Sequence, residues 1–164
     1  MRIRNWIPGT VVCAVLLTVG PHATAVESVV SGLERPHVEV DYLAPQVVEA
    51  GFDEESVVRD VSLALSRAGF VVLASSESQT AEGPAVAVSF DVVETPNSDL
   101  VYQATLELRE DVELIREAGT VVSGSTWCAT TLGVVPYGDL ETVVPATLTS
   151  LLDRFLLDAG MTTP

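Results

Sequence analysis

From Leu100 to Leu132 the chain alternates between apolar and polar residues for longer than any compact element other than a β-hairpin can absorb. Tyr102, Ala104, Leu106, Leu108, Val112 and Leu114 are interleaved with Gln103, Thr105, Glu107, Arg109, Asp111 and Glu113. A period of two sends one set of side chains into a core and the other toward water. The stretch therefore reads as one long antiparallel hairpin with other elements laid on its apolar face. Glu110 alone interrupts the apolar row. It is expected at the rim of the sheet, or buried with Arg109 or a hydroxyl as partner, because unpaired burial costs several kcal/mol or raises the pKa.

The turn of this hairpin sets which way its side chains point. Glu117-Ala118-Gly119 suits a three-residue loop with glycine in the left-handed region, which pairs Arg116 with Thr120. Counting outward, Leu114 faces Val122, Leu108 faces Cys128 and Arg109 faces Trp127. This register puts Cys128 in the core and Trp127 on the polar face, stacked on the Arg109 guanidinium for roughly 0.5 to 1 kcal/mol. Trp127, Arg109 and Glu110 are then the candidate binding residues, with Trp127 as the anchor for a partner. A two-residue loop would reverse both orientations.

The rest of the chain supplies partners for the hairpin. His37 to Leu43 alternates and is stopped by Ala44-Pro45, giving a first strand. Asp53 offers an N-cap, and Val57, Val58, Val61, Ala64, Leu65 and Ala68 form a helical stripe ending at Gly69. Phe70 to Ala74 is continuously apolar, as a strand covered on both faces is, so strand, helix and strand read as a βαβ unit. Ser75 to Gly83 is a loop, and Val86, Val88, Phe90 and Val92 mark a further strand before the Pro96-Asn97-Ser98-Asp99 turn. After Leu132, Val144, Leu148, Leu151, Leu152, Phe155 and Ala159 form a second amphipathic helix, with Pro145 near its start. The order β-α-β-β-β-β-α predicts a two-layer α+β domain: a mixed, mainly antiparallel five-stranded sheet with both helices on one face.

Residues 1–25 carry the marks of a secretory signal peptide. Arg2 and Arg4 precede an apolar run from Ile7 to Gly20, and Ala23-Thr24-Ala25 follows as a small-x-small cleavage site. The run falls short of the roughly 20 residues a spanning helix needs, and the residues before Cys13 lack the small residue that lipoprotein processing requires. The expectation is an exported protein, periplasmic or secreted, without a lasting membrane anchor. Residues 26–35 read as a flexible lead-in and 36–160 as a single domain.

The chain has 23 acidic residues against eight arginines and no lysine, for a formal charge of −15. Such a field repels phosphate backbones and anionic headgroups and admits cations or basic partners, which argues against nucleic acid. Past the leader only Cys128 and His37 remain of their kinds, so no internal disulfide is expected. No Gly-rich phosphate loop follows a strand, and His37 and Cys128 are too far apart in sequence to suggest a zinc site. A serine mechanism could use only His37, with Ser123, Ser125 or Thr126, and no GxSxG elbow presents a serine. Glu107, Glu110, Asp111 and Glu113 could serve as paired acids in a hydrolase or as oxygen ligands for Ca²⁺. Glu107, Asp111 and Glu113 share the polar side of a strand, which is also what a solvated face looks like, while Glu110 sits in the apolar row.

The Thr126-Trp127 pair on the last strand and the pattern Leu152-Asp153-x-Phe155 in the terminal helix carry a resemblance. In this the chain resembles small uncharacterised bacterial secreted α/β proteins, and its architecture is similar to LPS-assembly lipoproteins and the N-terminal domain of TolB-type proteins. The resemblance implies a non-catalytic role in the envelope, although the lipobox of the lipoprotein members is missing here. The leading expectation is a binding or assembly module that meets another envelope or secreted protein, with no cofactor and no metal. The alternatives are a small carboxylate-dependent hydrolase and an acidic module that binds divalent cations.

Overall fold

The computed structural model describes residues 30, 33, 35–73 and 83–161. Four strands form one sheet in the order β1-β2-β3-β4: β1 His37–Leu43, β2 Ala85–Glu94, β3 Asp99–Glu113 and β4 Val121–Pro136. β1 runs parallel to β2, and β2, β3 and β4 form an antiparallel meander. Three helices accompany it: a short α1 Pro45–Glu49, α2 Glu54–Arg67 and α3 Leu140–Asp158, the last entered through a 3₁₀ turn at Tyr137–Asp139. The α+β class with a mixed sheet is as expected, but the sheet has four strands rather than five, and α1 is a helix beyond the two expected.

The missing strand is Phe70 to Ala74. Residues 70–73 run as coil, tied to β1 through the Leu73 N–H, which donates to Pro36 O at 3.0 Å, while Ala74 lies outside the described residues. The apolar run packs without pairing. Phe70 lies 6.2 Å from Phe155 between ring centroids, and Val72 leans on the core, but Val71 is 67% exposed. Continuous hydrophobicity here reflects a coil that plugs the sheet's end, a pattern periodicity cannot separate from a buried strand. The parallel partner of β1 is therefore β2, reached after α1, α2 and the expected Ser75–Gly83 loop, of which only Gly83 is described.

Local chemistry accounts for the helices. Asp53 caps α2, its carboxylate accepting from the Ser56 N–H at 2.7 Å while Ser56 Oγ accepts from the Asp53 N–H at 3.1 Å. Hydrogen bonds from Ser56 hold this carboxyl below its usual range. Gly69, with φ +102°, follows the helix end in the left-handed region. α3 begins earlier than its apolar stripe suggested, so that Pro145 lies inside it, and Thr149 Oγ1 donates to the Pro145 carbonyl at 2.9 Å.

The core is the helix-facing side of the sheet. Val86, Val88 and Phe90 of β2 and Leu100, Ala104, Leu106 and Leu108 of β3 meet Val57, Val61 and Leu65 of α2 and Val144, Leu151 and Phe155 of α3. Val30 belongs to the same cluster at 2% exposure. Burial of this many Val, Leu and Phe side chains, at about 1.5–3 kcal/mol each, is what holds the two layers together.

The hairpin is the place where the expected register fails. Its loop is Ile115–Gly119, closed by the Leu114 N–H donating to Thr120 O at 2.9 Å, with Gly119 at φ +85°. The Gly119 N–H donates to Glu113 Oε1 at 2.6 Å. Val112 faces Val122 and Glu110 faces Gly124. This longer loop shifts the pairing by two and so preserves which face each residue takes. A β-bulge then shifts it by one: Arg109 pairs Ser125 and Leu108 pairs Trp127, leaving Thr126 unmatched. A single extra residue sends every later side chain to the opposite face. Trp127 thus faces the helices and Cys128 is exposed on the other side, the reverse of the expectation.

Candidate functional site

The helices cover one face of the sheet, and among the described residues no element covers the other. Two regions of that open face differ sharply in chemistry. Toward β1, Arg109 reaches across the small residues of β2 to three carboxylates. Its Nη1 donates to Glu39 Oε1 at 3.1 Å and Asp41 Oδ1 at 3.0 Å, Nη2 bonds Asp41 Oδ2 as well, and Nε and Nη2 each lie 3.2 Å from Glu107 Oε2. The hydrogen bonds to Asp41 are the main reason the guanidinium is held even more firmly in its charged form than usual. Ala85 and Ala87 of β2 are buried beneath this cluster, whose spanning arginine needs small side chains under it.

Toward the far end of β4 the face carries an apolar patch, with Asp91 of β2 at its border in the row of Gln103 and Leu132. Val93, Val101 and Val134 line up across β2, β3 and β4, and Leu132 lies beside them opposite Gln103. Val93 is 62% exposed, Val134 64% and Leu132 70%. β4 is the outer strand, so one side of its backbone has no strand partner among the described residues. No charged residue occurs from Ala118 to Gly138, in a chain of charge −15. An uncharged outer strand, regular from Trp127 until Pro136 ends it, is an open template for strand addition, since charge, proline, bulges and brevity are the usual protections.

Each expected binding residue has an internal partner. Trp127 is half-buried with its ring edge-on to Phe155 at 5.0 Å, and Nε1–H donates to Asp158 Oδ2 at 3.0 Å. It is separated by the sheet from Arg109, which pairs with carboxylates instead. Glu110 has the hydroxyl partner: Thr126 Oγ1 donates to its Oε2 at 2.6 Å. The bulge that displaces Thr126 from the pairing is what brings its hydroxyl to this carboxylate, so Glu110 is satisfied in place. The structure does not bring Trp127, Arg109 and Glu110 together as one site.

The carboxylates also part company. Glu107 belongs to the Arg109 cluster, while Glu113 bonds the hairpin loop. Among the described residues no group of three or more His, Cys, Asp and Glu side chains is placed to hold a metal ion. His37 is buried, with Nε2 3.9 Å from Glu39 Oε2, and among the described residues no hydroxyl nucleophile is bonded to it. Between α2 and α3 lies an apolar cavity of about 470 Å³ lined by Phe52, Val57, Val61, Leu148, Leu152 and Leu156, among others. Asp60, Arg67 and Asp153 also border it.

The hairpin pattern anticipates β4 as a strand, but not that it is the uncharged outer strand of the sheet. The alternation drew attention to charged residues on β3, whereas the signal for the exposed strand was the absence of charge from Ala118 to Gly138. Compared with family models, with curated proteins and with solved structures, the chain matches none of them.

Proposed function

We propose that this chain is an exported, non-catalytic binding or assembly module of the bacterial envelope or secretome, and that it binds through β4 and the apolar row beside it. The observation that carries the reading is the uncharged outer strand, with Leu132 and Val134 exposed on it and no cover among the described residues. Strand addition supplies affinity through the backbone and selectivity through alternate side chains. Arg2, Arg4, the apolar run and Ala23-Thr24-Ala25 support export. The resemblance of Thr126-Trp127 and Leu152-Asp153-x-Phe155 to small uncharacterised bacterial secreted proteins points the same way.

A photo-crosslinking residue placed at Val134 tests the reading in intact cells, with the same residue at Tyr42 on β1 as the comparison. Covalent adducts are expected from position 134 and not from position 42. Adducts from neither position, or from position 42 alone, would show that β4 is not the binding surface.

A further inference from the structure

We infer that the occupant of the β4 edge is a second copy of this chain, the two β4 strands pairing antiparallel about a two-fold axis at Leu132. The inference rests on the reading of β4 as the binding surface and names what fills it. Three observations select the occupant. The first is charge. A basic partner would be met best by acidic side chains, and β4 carries none in a chain of charge −15. A neutral strand is what two equally acidic molecules need at their seam. Of the open-face carboxylates near the seam, Glu107 of β3 lies opposite Cys128 and is paired with Arg109, Asp91 of β2 lies in the row of Gln103 and Leu132, and those of β1 stand three strand spacings away, about 14 Å.

The second observation is regularity. The bulge interrupts β4 only between Ser125 and Trp127, leaving Trp127 to Pro136 in unbroken register with β3. Pro136 has no N–H and ends any ladder. A two-fold axis makes like strands antiparallel, and opposite residues must then share a face. Centring the axis on Leu132 sets it against Leu132 of the second copy, Thr130 against Val134, Thr131 against Gly133, and Cys128 against the terminal Pro136. The third is the apolar row. Leu132 and Val134 are exposed in the single chain, and this register brings both copies' pairs together across the seam. The product is a continuous eight-stranded sheet with all helices on one face.

Sedimentation of the purified chain at graded concentration and salt tests this. Dimer is expected, and its formation strengthens as NaCl rises from about 0.05 to 0.5 M, because screening relieves repulsion between acidic copies that share a neutral seam. Leu132→Glu, which places two carboxylates face to face at the axis, is expected to weaken dimerisation at least tenfold with an unchanged circular dichroism spectrum. Leu157→Glu, on the exposed side of α3, leaves dimerisation as it was. In a Cys128→Ser background, Leu132→Cys forms a disulfide-linked dimer on oxidation, whereas the natural Cys128, set against Pro136, forms none. A chain that stays monomeric at about 200 µM in high salt overturns the inference. So does a dimer indifferent to Leu132→Glu, or one linked through Cys128. A monomer whose position 134 crosslinks a different protein in cells overturns the second copy as occupant and leaves β4 as the binding surface. A monomer with no adduct from position 134 overturns both.

Discussion

The two edges of this sheet are managed in opposite ways. β1 is seven residues long, is bulged between Val40 and Tyr42, carries Glu39 and Asp41, and runs into Pro45. Each of those features discourages a foreign strand. β4 is more than twice as long and carries none of these charges. The charge on β1 is bound inward by Arg109 of β3, so the same ion-pair cluster both blunts one edge and ties it to the middle of the sheet. β4 is tied instead through its other face, by Trp127 against Phe155 and Asp158. One edge is fastened by charge on the open face, the other by an aromatic under the helix. Only the second fastening leaves its strand free to receive a neighbour.

The largest effect should come from cutting the aromatic fastening. Trp127→Ala is expected to cost about 2–3 kcal/mol, below the range for fully buried tryptophan because the ring is half-buried. Trp127→Phe keeps the contact with Phe155, loses the Asp158 bond, and should cost about 1 kcal/mol. Denaturant unfolding measures both. A loss under about 0.5 kcal/mol for Trp127→Ala would mean that β4 is held by its backbone pairing alone.

Next in size is Gly133→Ala on the same strand. A methyl group there would lie 2.5 Å from the Tyr102 ring, so something must shift, at about 1–3 kcal/mol. Thermal unfolding with an unchanged fold at low temperature is the expected result. A neutral substitution would show that the Tyr102 ring moves freely and that β4 is less tightly set than its register suggests.

Arg109→Ala tests the other fastening. It leaves Glu39, Asp41 and Glu107 together without their counter-charge, and should cost about 1–2 kcal/mol at low ionic strength, less in 0.5 M salt. A salt-independent loss would assign the residue's role to packing over Ala87 instead of charge.

The smallest effect concerns the segments that follow the two edges. Tyr137, after β4, donates to Glu49 Oε2 of α1, after β1, at 3.1 Å, and this carboxylate raises the phenol's pKa. A raised phenol contributes its stability below the ordinary value near 10 and loses it as the pH climbs through the folded-state value. Stability should therefore fall slightly more steeply above pH 10 in the natural chain than in Tyr137→Phe, as followed by urea midpoints. Equal slopes would mean that the bond does not form in solution.

The amphipathic patterns were legible in the sequence wherever a residue's neighbours along the chain decide its fate. The α2 cap at Asp53, the helix end at Gly69, the alternation of β2 and β3 and the apolar stripe of α3 all belong to that kind. Besides the short α1, two features were not legible, for a shared reason. Whether Phe70 to Leu73 pairs or plugs depends on what lies beside β1, and the face taken by Trp127 depends on one unmatched residue at Thr126. Both are settled by tertiary contacts: the ring of Phe155 accepts Phe70 and Trp127 alike, and Glu110 needs a hydroxyl. The Glu110 interruption was itself the trace of the bulge, since a carboxylate in an apolar row calls for a local partner. The candidate site was legible only in part, because its mark is missing charge, and pattern reading weighs the residues that are present.

Tyr102 and Gly133 face each other across the meander, and the tyrosine ring, stacked on Phe90 at 5.5 Å, fills the space a side chain at 133 would need. For a lineage accumulating substitutions, this makes the two positions a single hereditary unit. A side chain can enter at 133 without strain only after the ring at 102 has been lost, and losing the ring first opens a gap beside Phe90. Either order passes through a less stable intermediate, so descendants of this chain should keep the aromatic and the glycine together or exchange both.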